Sequence, residues 1–321
     1  MSWREREKQT QEIIVKETFK KHYQTLLKDA YEEFMACNAT YLRRAIRVNT
    51  LKADVQEVQE ELESNGWKLT PVPWCKEAFW ISGERLDIGN LLAHQRGEIY
   101  IQDPASMLPP IILQPQPGER VLDMCASPGS KTTQLAAIMK NTGVIIANDA
   151  DAPRLAALGI NTQRLGVINT LITKKDGRSF KKYPFDKVLI DAPCSGTGTI
   201  RRSLKALSMY NPKQVQGFSR LQQQLLRAGY SALEPGGALT YSTCTVEPLE
   251  NEVVINEFLK NNPEAILEDI ELDINREEVF LTHPETGEEL SPEVRKCLRI
   301  HPYTNDTEGF FVCKITKPKT T

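Results

Sequence analysis

Apolar positions along this chain follow two rhythms, and the change between them divides it. Between residues 9 and 37, Ile13, Ile14, Phe19, Tyr23, Leu26, Leu27, Ala30, Tyr31 and Phe34 recur mostly at steps of three and four. That spacing places them on one face of a helical region, with room for a single break. The text RVNTLKADVQEVQEELESNGWKLTPVP then predicts a strand near 46–50, a helix near 53–65 stopped by Asn65-Gly66, and a strand near 67–72. Phe79-Trp80-Ile81 is a further short strand. A β-α-β-β order of this size predicts a small N-terminal α+β domain of split-βαβ, RNA-recognition-like shape, ending near residue 95.

From residue 96 to 321 strand and helix text alternate. Tyr100-Ile101-Gln102-Asp103 leads into a helix near 104–113, with Asp103 as N-cap and Pro104 at the first helical position. Strands are expected near 119–124, 143–148, 168–173, 186–191, 236–241 and 309–316. Helices fall near 130–140, 151–164, 212–233 and 247–261. This alternation predicts an α/β fold, a mostly parallel Rossmann-like sheet covered on both faces.

Composition narrows the class. With 40% hydrophobic and 26% charged residues the chain reads as soluble, and no apolar run approaches the roughly 20 residues of a membrane span. The opening MSWREREKQTQ lacks the apolar middle of a secretory signal. Seven cysteines (37, 75, 125, 194, 244, 297, 313) form no Cys-x-x-Cys or Cys/His cluster. The four histidines (22, 94, 283, 301) are isolated. No disulfide framework and no metal site is expected, and a cytoplasmic setting is.

A net charge of −2 conceals an asymmetry. No acid occurs from Thr199 to Leu233, which carries Arg201, Arg202, Lys205, Lys213, Arg220 and Arg227. Lys174, Lys175, Arg178, Lys181 and Lys182 form a second basic cluster, while the compensating acid lies in 247–293. A one-sided field of this kind suits a polyanion, although solvated helix faces would produce the same counts.

The candidate chemistry sits at the predicted carboxyl ends of the strands. VLDMCASPGSK (121–131) is a strand, a small-residue turn and a helix start, the usual ligand cradle of a doubly wound sheet. It is not a Walker loop, because Cys125 and Ser130 occupy the glycine positions, and no Gly-x-Gly-x-x-Gly is present. Asp149 ends the next strand some 26 residues after Asp123, where an acid can accept both ribose hydroxyls of a nucleoside. Asp176-Gly177, after the third strand, is placed to reach an adenine edge, though an Asp-Gly turn has the same spelling.

Two cysteines complete the pattern. The fourth strand ends in Asp191-Ala192-Pro193-Cys194-Ser195-Gly196, the fifth in Tyr241-Ser242-Thr243-Cys244-Thr245. Adjoining strand ends would bring both thiols beside the cradle. An acid and a thiol beside an adenosine site are what activation of a pyrimidine requires. Carbon 5 of cytosine becomes nucleophilic only after a thiolate adds at carbon 6, with an acid at ring nitrogen 3 absorbing the charge. A base must then remove the carbon 5 proton so that the thiolate can leave.

LDMCASPGSKT, IDAPCSGTG and YSTCTVEPLENE resemble the signature stretches of the NOL1/NOP2/Sun-type RNA cytosine-C5 methyltransferases. RVNTLK (47–52), YIQDPAS (100–106), Asp149–Arg154, RLG (164–166) and HPYTNDTEGFF (301–311) extend the resemblance over about 45–316. It implies a seven-stranded methyltransferase sheet whose last strand, 309–316, is antiparallel. It implies S-adenosylmethionine as methyl donor, bound by Cys125, Ala126, Ser127, Pro128, Gly129, Ser130, Lys131, Asp149, Arg154, Asp176 and Asp191. It makes Cys244 the nucleophile, Cys194 the residue that helps release product, and Asp191 the holder of the cytosine. Lys131 faces either the cofactor or the target base. The common family turn reads Cys-Ala-Ala-Pro-Gly-Gly-Lys, so Ser127 and Ser130 are departures, both small.

The compact length resembles the tRNA-modifying members, especially archaeal ones, with ribosomal RNA as the alternative substrate. With no extension after Thr321, RNA is expected to be gripped by the N-terminal module and the basic surface, and the enzyme to act as a monomer. A DNA cytosine methyltransferase would leave Cys244 without a role. A small-molecule or protein methyltransferase would leave both cysteines unexplained. A non-catalytic RNA-binding protein on the same scaffold would have no need of Asp191, Cys194 and Cys244 together.

Overall fold

The computed structural model describes residues 4, 6–9, 14–84 and 87–319, so Ile13 of the N-terminal pattern lies outside the described residues. Two compact units interleave along the chain. The first comprises Met1–Arg43, Ala192–Gln224 and Ser242–Cys313, the second Arg44–Asp191, Leu225–Tyr241 and Lys314–Thr321.

The N-terminal apolar period becomes α1 (Glu17–Leu27) and α2 (Tyr31–Asn38), separated by the 3-10 turn Lys28–Ala30. The break coincides with Lys28, whose φ of +48° takes the backbone out of the right-handed helix. Phe19, Tyr23 and Phe34 are wholly buried. They pack with Ile200, Leu207, Tyr210, Val215, Val246 and Val253 of the same first unit. Each such burial contributes about 2 kcal/mol. The stripe therefore finds its partners far along the chain, whereas β-α-β-β, which the sequence groups with it up to residue 95, belongs to the second unit.

In that second unit β1 (Ala45–Val48), α3 (Val55–Ser64), β2 (Lys68–Val72), β3 (Cys75–Ser82), α4 (Leu92–Arg96) and β4 (Ile99–Ile101) form a small layer. Its sheet runs β2-β3-β1-β4, antiparallel throughout, which is the full split-βαβ order. Asp54 starts α3 by accepting the amides of Gln56 and Glu57. Ile46, Val58, Leu62, Phe79, Ile81 and Ile99 form the core beneath. The last strand lies where the sequence reads only a lead into the larger domain, because three residues are too few to show alternation.

The larger sheet has the order β10-β12-β9-β8-β5-β6-β7. Its strands are β5 (Arg120–Asp123), β6 (Val144–Asn148), β7 (Thr170–Thr173), β8 (Phe185–Asp191), β9 (Leu233–Thr243), β10 (Ile266–Glu268) and β12 (Phe310–Thr316). β11 (Leu298–Ile300) pairs antiparallel with β12, which makes the sheet mixed. β5 runs parallel to both β6 and β8, and β6 to β7. The helices are α5 (Leu108–Leu113), α6 (Ser130–Ile138), α7 (Ala152–Arg164), α8 (Lys205–Met209), α9 (Pro212–Ser231), α10 (Glu252–Asn261) and α11 (Pro302–Asn305). Asp123 stands opposite Ala147 on one neighbour and Leu189 on the other. Asp149 and Asp191 therefore emerge two residues later on either side of it, at one carboxyl edge. Among the described residues no helix is long and apolar enough to cross a membrane.

Candidate active site

The cradle predicted at 121–131 is built in the second unit. Gly129, at φ +104°, turns the chain into α6, and a Cβ there would meet Leu158 Cδ1 at 3.0 Å. Only glycine takes both the conformation and the closeness without strain. Asp149 is buried and holds the turn, its Oδ2 accepting the Ser127 amide at 3.2 Å and its Oδ1 the Asp151 amide at 3.0 Å. Arg154 donates to the Ser127 carbonyl at 2.7 Å and pairs with Asp149 at 3.5 Å. The Ala126 amide donates to the Asn148 carbonyl at 2.7 Å, and the Pro128 carbonyl accepts from Asn161 Nδ2 at 2.9 Å. The Ser130 carbonyl accepts from the Thr133 hydroxyl at 3.1 Å.

Lys131 is buried in the first turn of α6. Its Nζ donates to Asp191 Oδ2 at 2.7 Å and to Ser106 Oγ at 3.0 Å. Two of the expected site residues thus meet as an ion pair. Asp176 starts a 3-10 turn, accepts the Arg178 amide and pairs with the Arg178 guanidinium. That guanidinium holds its carboxyl below the usual range. This is the turn-and-cap use of an Asp-Gly spelling.

Three carboxylates, Asp123, Asp149 and Asp191, share this edge. Burial pushes Asp123 up to about 7, with Thr132 and Lys131 opposing and the two neighbouring aspartates adding to the rise. Burial, reinforced by Asp123, likewise holds the Cys125 thiol protonated. Asp123 Oδ1 and Ser127 Oγ are buried with no hydrogen-bond partner among the described residues. Buried polar atoms are seldom left so, and a polar ligand over the turn would satisfy them. Acid and unpaired acceptors together fit a cationic, hydroxyl-bearing molecule such as S-adenosylmethionine better than a polyphosphate.

The second cluster lies in the first unit. Cys194 Sγ and Cys244 Sγ are 3.2 Å apart. The Ala192 amide donates to the Ser242 carbonyl at 2.9 Å and the Gly198 amide to the Cys244 carbonyl at 3.0 Å, so the two strand ends adjoin as expected. A Cβ on Gly198 would lie 2.2 Å from the Gly309 carbonyl oxygen, so only glycine permits this approach. The hydroxyls of Ser195 and Thr197 both reach Thr245 Oγ1, at 2.9 and 2.8 Å. The Cys194 thiol is pushed well up, first by its hydrogen bond to Cys244, then by burial and by Glu250. Along the chain, the peptide Asp191–Ala192 leads from the acid of the cradle to this thiol.

Residues 110–316 match the family model for the 16S rRNA methyltransferase RsmB/F, and residues 15–104 match that for the N-terminal domain of RsmF. The chain belongs to the RsmB/F methyltransferase family. It is 45% identical to the tRNA (cytosine(49)-C(5))-methyltransferase of Pyrococcus abyssi over 95% of its own length and 99% of that protein. It is 40% identical to the ribosomal RNA small subunit methyltransferase F of Erwinia tasmaniensis, over 96% of this chain but 64% of that longer one. A solved methyltransferase homolog from Pyrococcus horikoshii is similar with a TM-score of 0.83 at 38% identity, covering 94% of this chain and 95% of that one.

Family membership leaves three residues that the sequence reading passed over. Asn148, an amide inside the apolar run Val144–Ala147, ties three strand ends together. Its Nδ2 donates to the Met124 and Lys175 carbonyls, and its Oδ1 accepts from the Lys175 amide and the Thr173 hydroxyl. A lone polar residue in such a strand was the available signal. Glu250 and Gln222 flank the thiol pair, and nothing in their local spelling separates them from surface residues.

Proposed function

We propose that this protein transfers a methyl group from S-adenosylmethionine to carbon 5 of a cytosine in RNA, with tRNA as the substrate class. The observation that carries the reading is the pair of thiols at 3.2 Å. A single-thiol or thiol-free methyltransferase has no use for that pairing. S-adenosylmethionine supplies an electrophilic methyl group when bound. Asp149 and Arg154 shape the turn that receives it, with the 125–131 backbone, Asp176 and Asp191 completing the cradle.

In this reading the Cys244 thiolate adds to carbon 6 while a proton held between the Asp191 carboxyl and ring nitrogen 3 neutralises the charge that develops on the ring, with Lys131 fixing the position of Asp191. Carbon 5 takes the methyl group. Transfer of the carbon 5 proton to water then lets the C–H electron pair form the carbon 5–carbon 6 double bond as the carbon 6–sulfur bond breaks, which frees the Cys244 thiolate. Cys194 serves that release. Residues up to about 95 act as the accessory part and those beyond as the catalytic part of a cytoplasmic monomer.

The tRNA preference rests on identity: the archaeal tRNA relative is 45% identical over 95% of this chain, the ribosomal relative 40% over 96%. Incubation of the purified protein with labelled S-adenosylmethionine and either tRNA or small-subunit rRNA, followed by bisulfite sequencing, tests it. Methylcytosine in tRNA is the expected product. Label confined to rRNA overturns the substrate class, and none in either overturns the reaction.

A further inference from the structure

Glu250 lies on the 3-10 turn Pro248–Glu250, just beyond β9, and is completely buried. Its Oε2 accepts the Ser195 amide at 3.0 Å and the Gln222 side-chain amide at 2.9 Å. The same Gln222 nitrogen donates to the Pro193 carbonyl at 2.9 Å. The peptide groups on both sides of Cys194 are therefore tied to one buried carboxyl–amide pair. Thr245, next to Cys244, approaches Glu250 Oε1 at 3.4 Å and the Ser195 hydroxyl at 2.9 Å. One carboxyl group thus spans both thiol-bearing segments.

The two thiols depend on this clamp unequally. Cys244 directly follows the long strand β9 (Leu233–Thr243), whose end the sheet places. Cys194 sits in an irregular loop, and loop backbone holds a position only where its polar groups are bound. A buried carboxyl is expensive to keep where an amide or an apolar residue could fill the same space. Two donors converge on one oxygen here, which a carboxyl oxygen with its two lone pairs accepts.

We infer that Glu250, braced by Gln222, is a positioning residue that holds Cys194 against Cys244 and so governs release of the methylated base rather than attack on it. The inference rests on the roles proposed above for the two cysteines. Removing the clamp frees Cys194 while leaving Cys244 on its strand. Attack should then proceed, and the covalent intermediate should persist.

The test uses the full chain with tRNA and S-adenosylmethionine, following adduct formation by gel shift under denaturing conditions and turnover by label release. For Glu250→Ala and for Gln222→Ala, adduct formation should stay within about threefold of wild type while turnover falls about tenfold or more, so adduct accumulates. Glu250→Gln should recover part of the turnover, because its amide oxygen still accepts the Ser195 amide. Wild-type turnover in the alanine variants overturns the inference. A parallel loss of adduct and turnover also overturns it, since a merely structural role predicts that pattern. If Glu250→Ala fails to fold, Gln222→Ala carries the same comparison. Failure of the wild-type protein to form methylcytosine is a separate result that removes the functional reading itself.

Discussion

Cys194 and Cys244 are fifty residues apart in the chain, yet their sulfur atoms lie 3.2 Å from one another. The contact joins the loop after β8 to the end of β9, and neighbouring backbone hydrogen bonds hold it there. Their roles are separable by substitution. Cys244→Ala should abolish both methylation and the covalent RNA adduct. Cys194→Ala should form the adduct and fail to resolve it. Denaturing gels with labelled RNA distinguish the two, and the opposite pattern would reverse the assignment.

The Lys131–Asp191 pair, 2.7 Å long with Lys131 buried, makes a second prediction. Lys131→Met removes from Asp191, which stands beside two other acids, the positive charge that meets it at 2.7 Å. A loss of about 100-fold in kcat/KM, roughly 3 kcal/mol of transition-state stabilisation, is expected in single-turnover assays. Lys131→Arg should not restore it, because a planar guanidinium cannot reproduce a point contact to Asp191 and Ser106. A variant with wild-type kinetics would show that the pair is only structural.

Stability should fall with pH through the range in which Asp123 titrates. Its carboxyl is raised from 3.8 to about 7, so the folded protein keeps a proton that the unfolded chain has already released. The stabilisation is complete below about pH 4 and is lost as pH rises through about 7, by at most about 4 kcal/mol. Glu250, raised to about 7 by burial, contributes with the same sign. Urea titrations at pH 4 to 8 should show a shallower dependence for Asp123→Asn and greater stability than wild type at pH 8. Identical pH profiles would disprove the assignment.

Arg299 and Glu252 are both fully buried, joined at 2.7 Å, and Arg299 also donates to the Val246 carbonyl at 2.9 Å. Arg299→Met should destabilise the protein by about 3–5 kcal/mol, because the Glu252 charge is left without its partner. Arg299→Met with Glu252→Leu should recover much of the loss in thermal melts. Additive effects of the two single changes would mean that the pair is not energetically coupled.

The exposed face of α9 bears Lys213 and Arg220, seven residues apart, while Val215 and Gln222 point inward. If that face carries RNA phosphates, Lys213→Ala with Arg220→Ala should raise KM for tRNA and leave kcat unchanged. The salt dependence of binding should become shallower by about two counterions. An unchanged slope in filter-binding assays would place the phosphate contacts elsewhere.

Much of this was legible in the chain alone. Parallel strands buried on both faces read as short apolar runs, and the elements around β5, β6 and β8 follow from them. The cradle was legible because a turn into a helix needs small residues and a glycine at set positions. The period of α1 and α2 showed that an apolar face exists, but periodicity carries no address, and only the fold matches it to Tyr210 and Val246. β10, β11 and α11 are too short to have a period. Asp176 spelled both a cofactor contact and a turn, and the structure binds it to Arg178, two residues on.

Residue types and the strand that carries each of them were thus determined by the sequence. What only the tertiary structure decided is proximity and burial. Glu250 in Pro-Leu-Glu-Asn-Glu looks like any surface acid. Nothing local reveals that it is buried between two loops whose thiols meet, because that depends on how β8 and β9 are brought side by side. A hydrophobic pattern orders one element at a time, whereas distances between side chains fifty residues apart follow from the packing of them all.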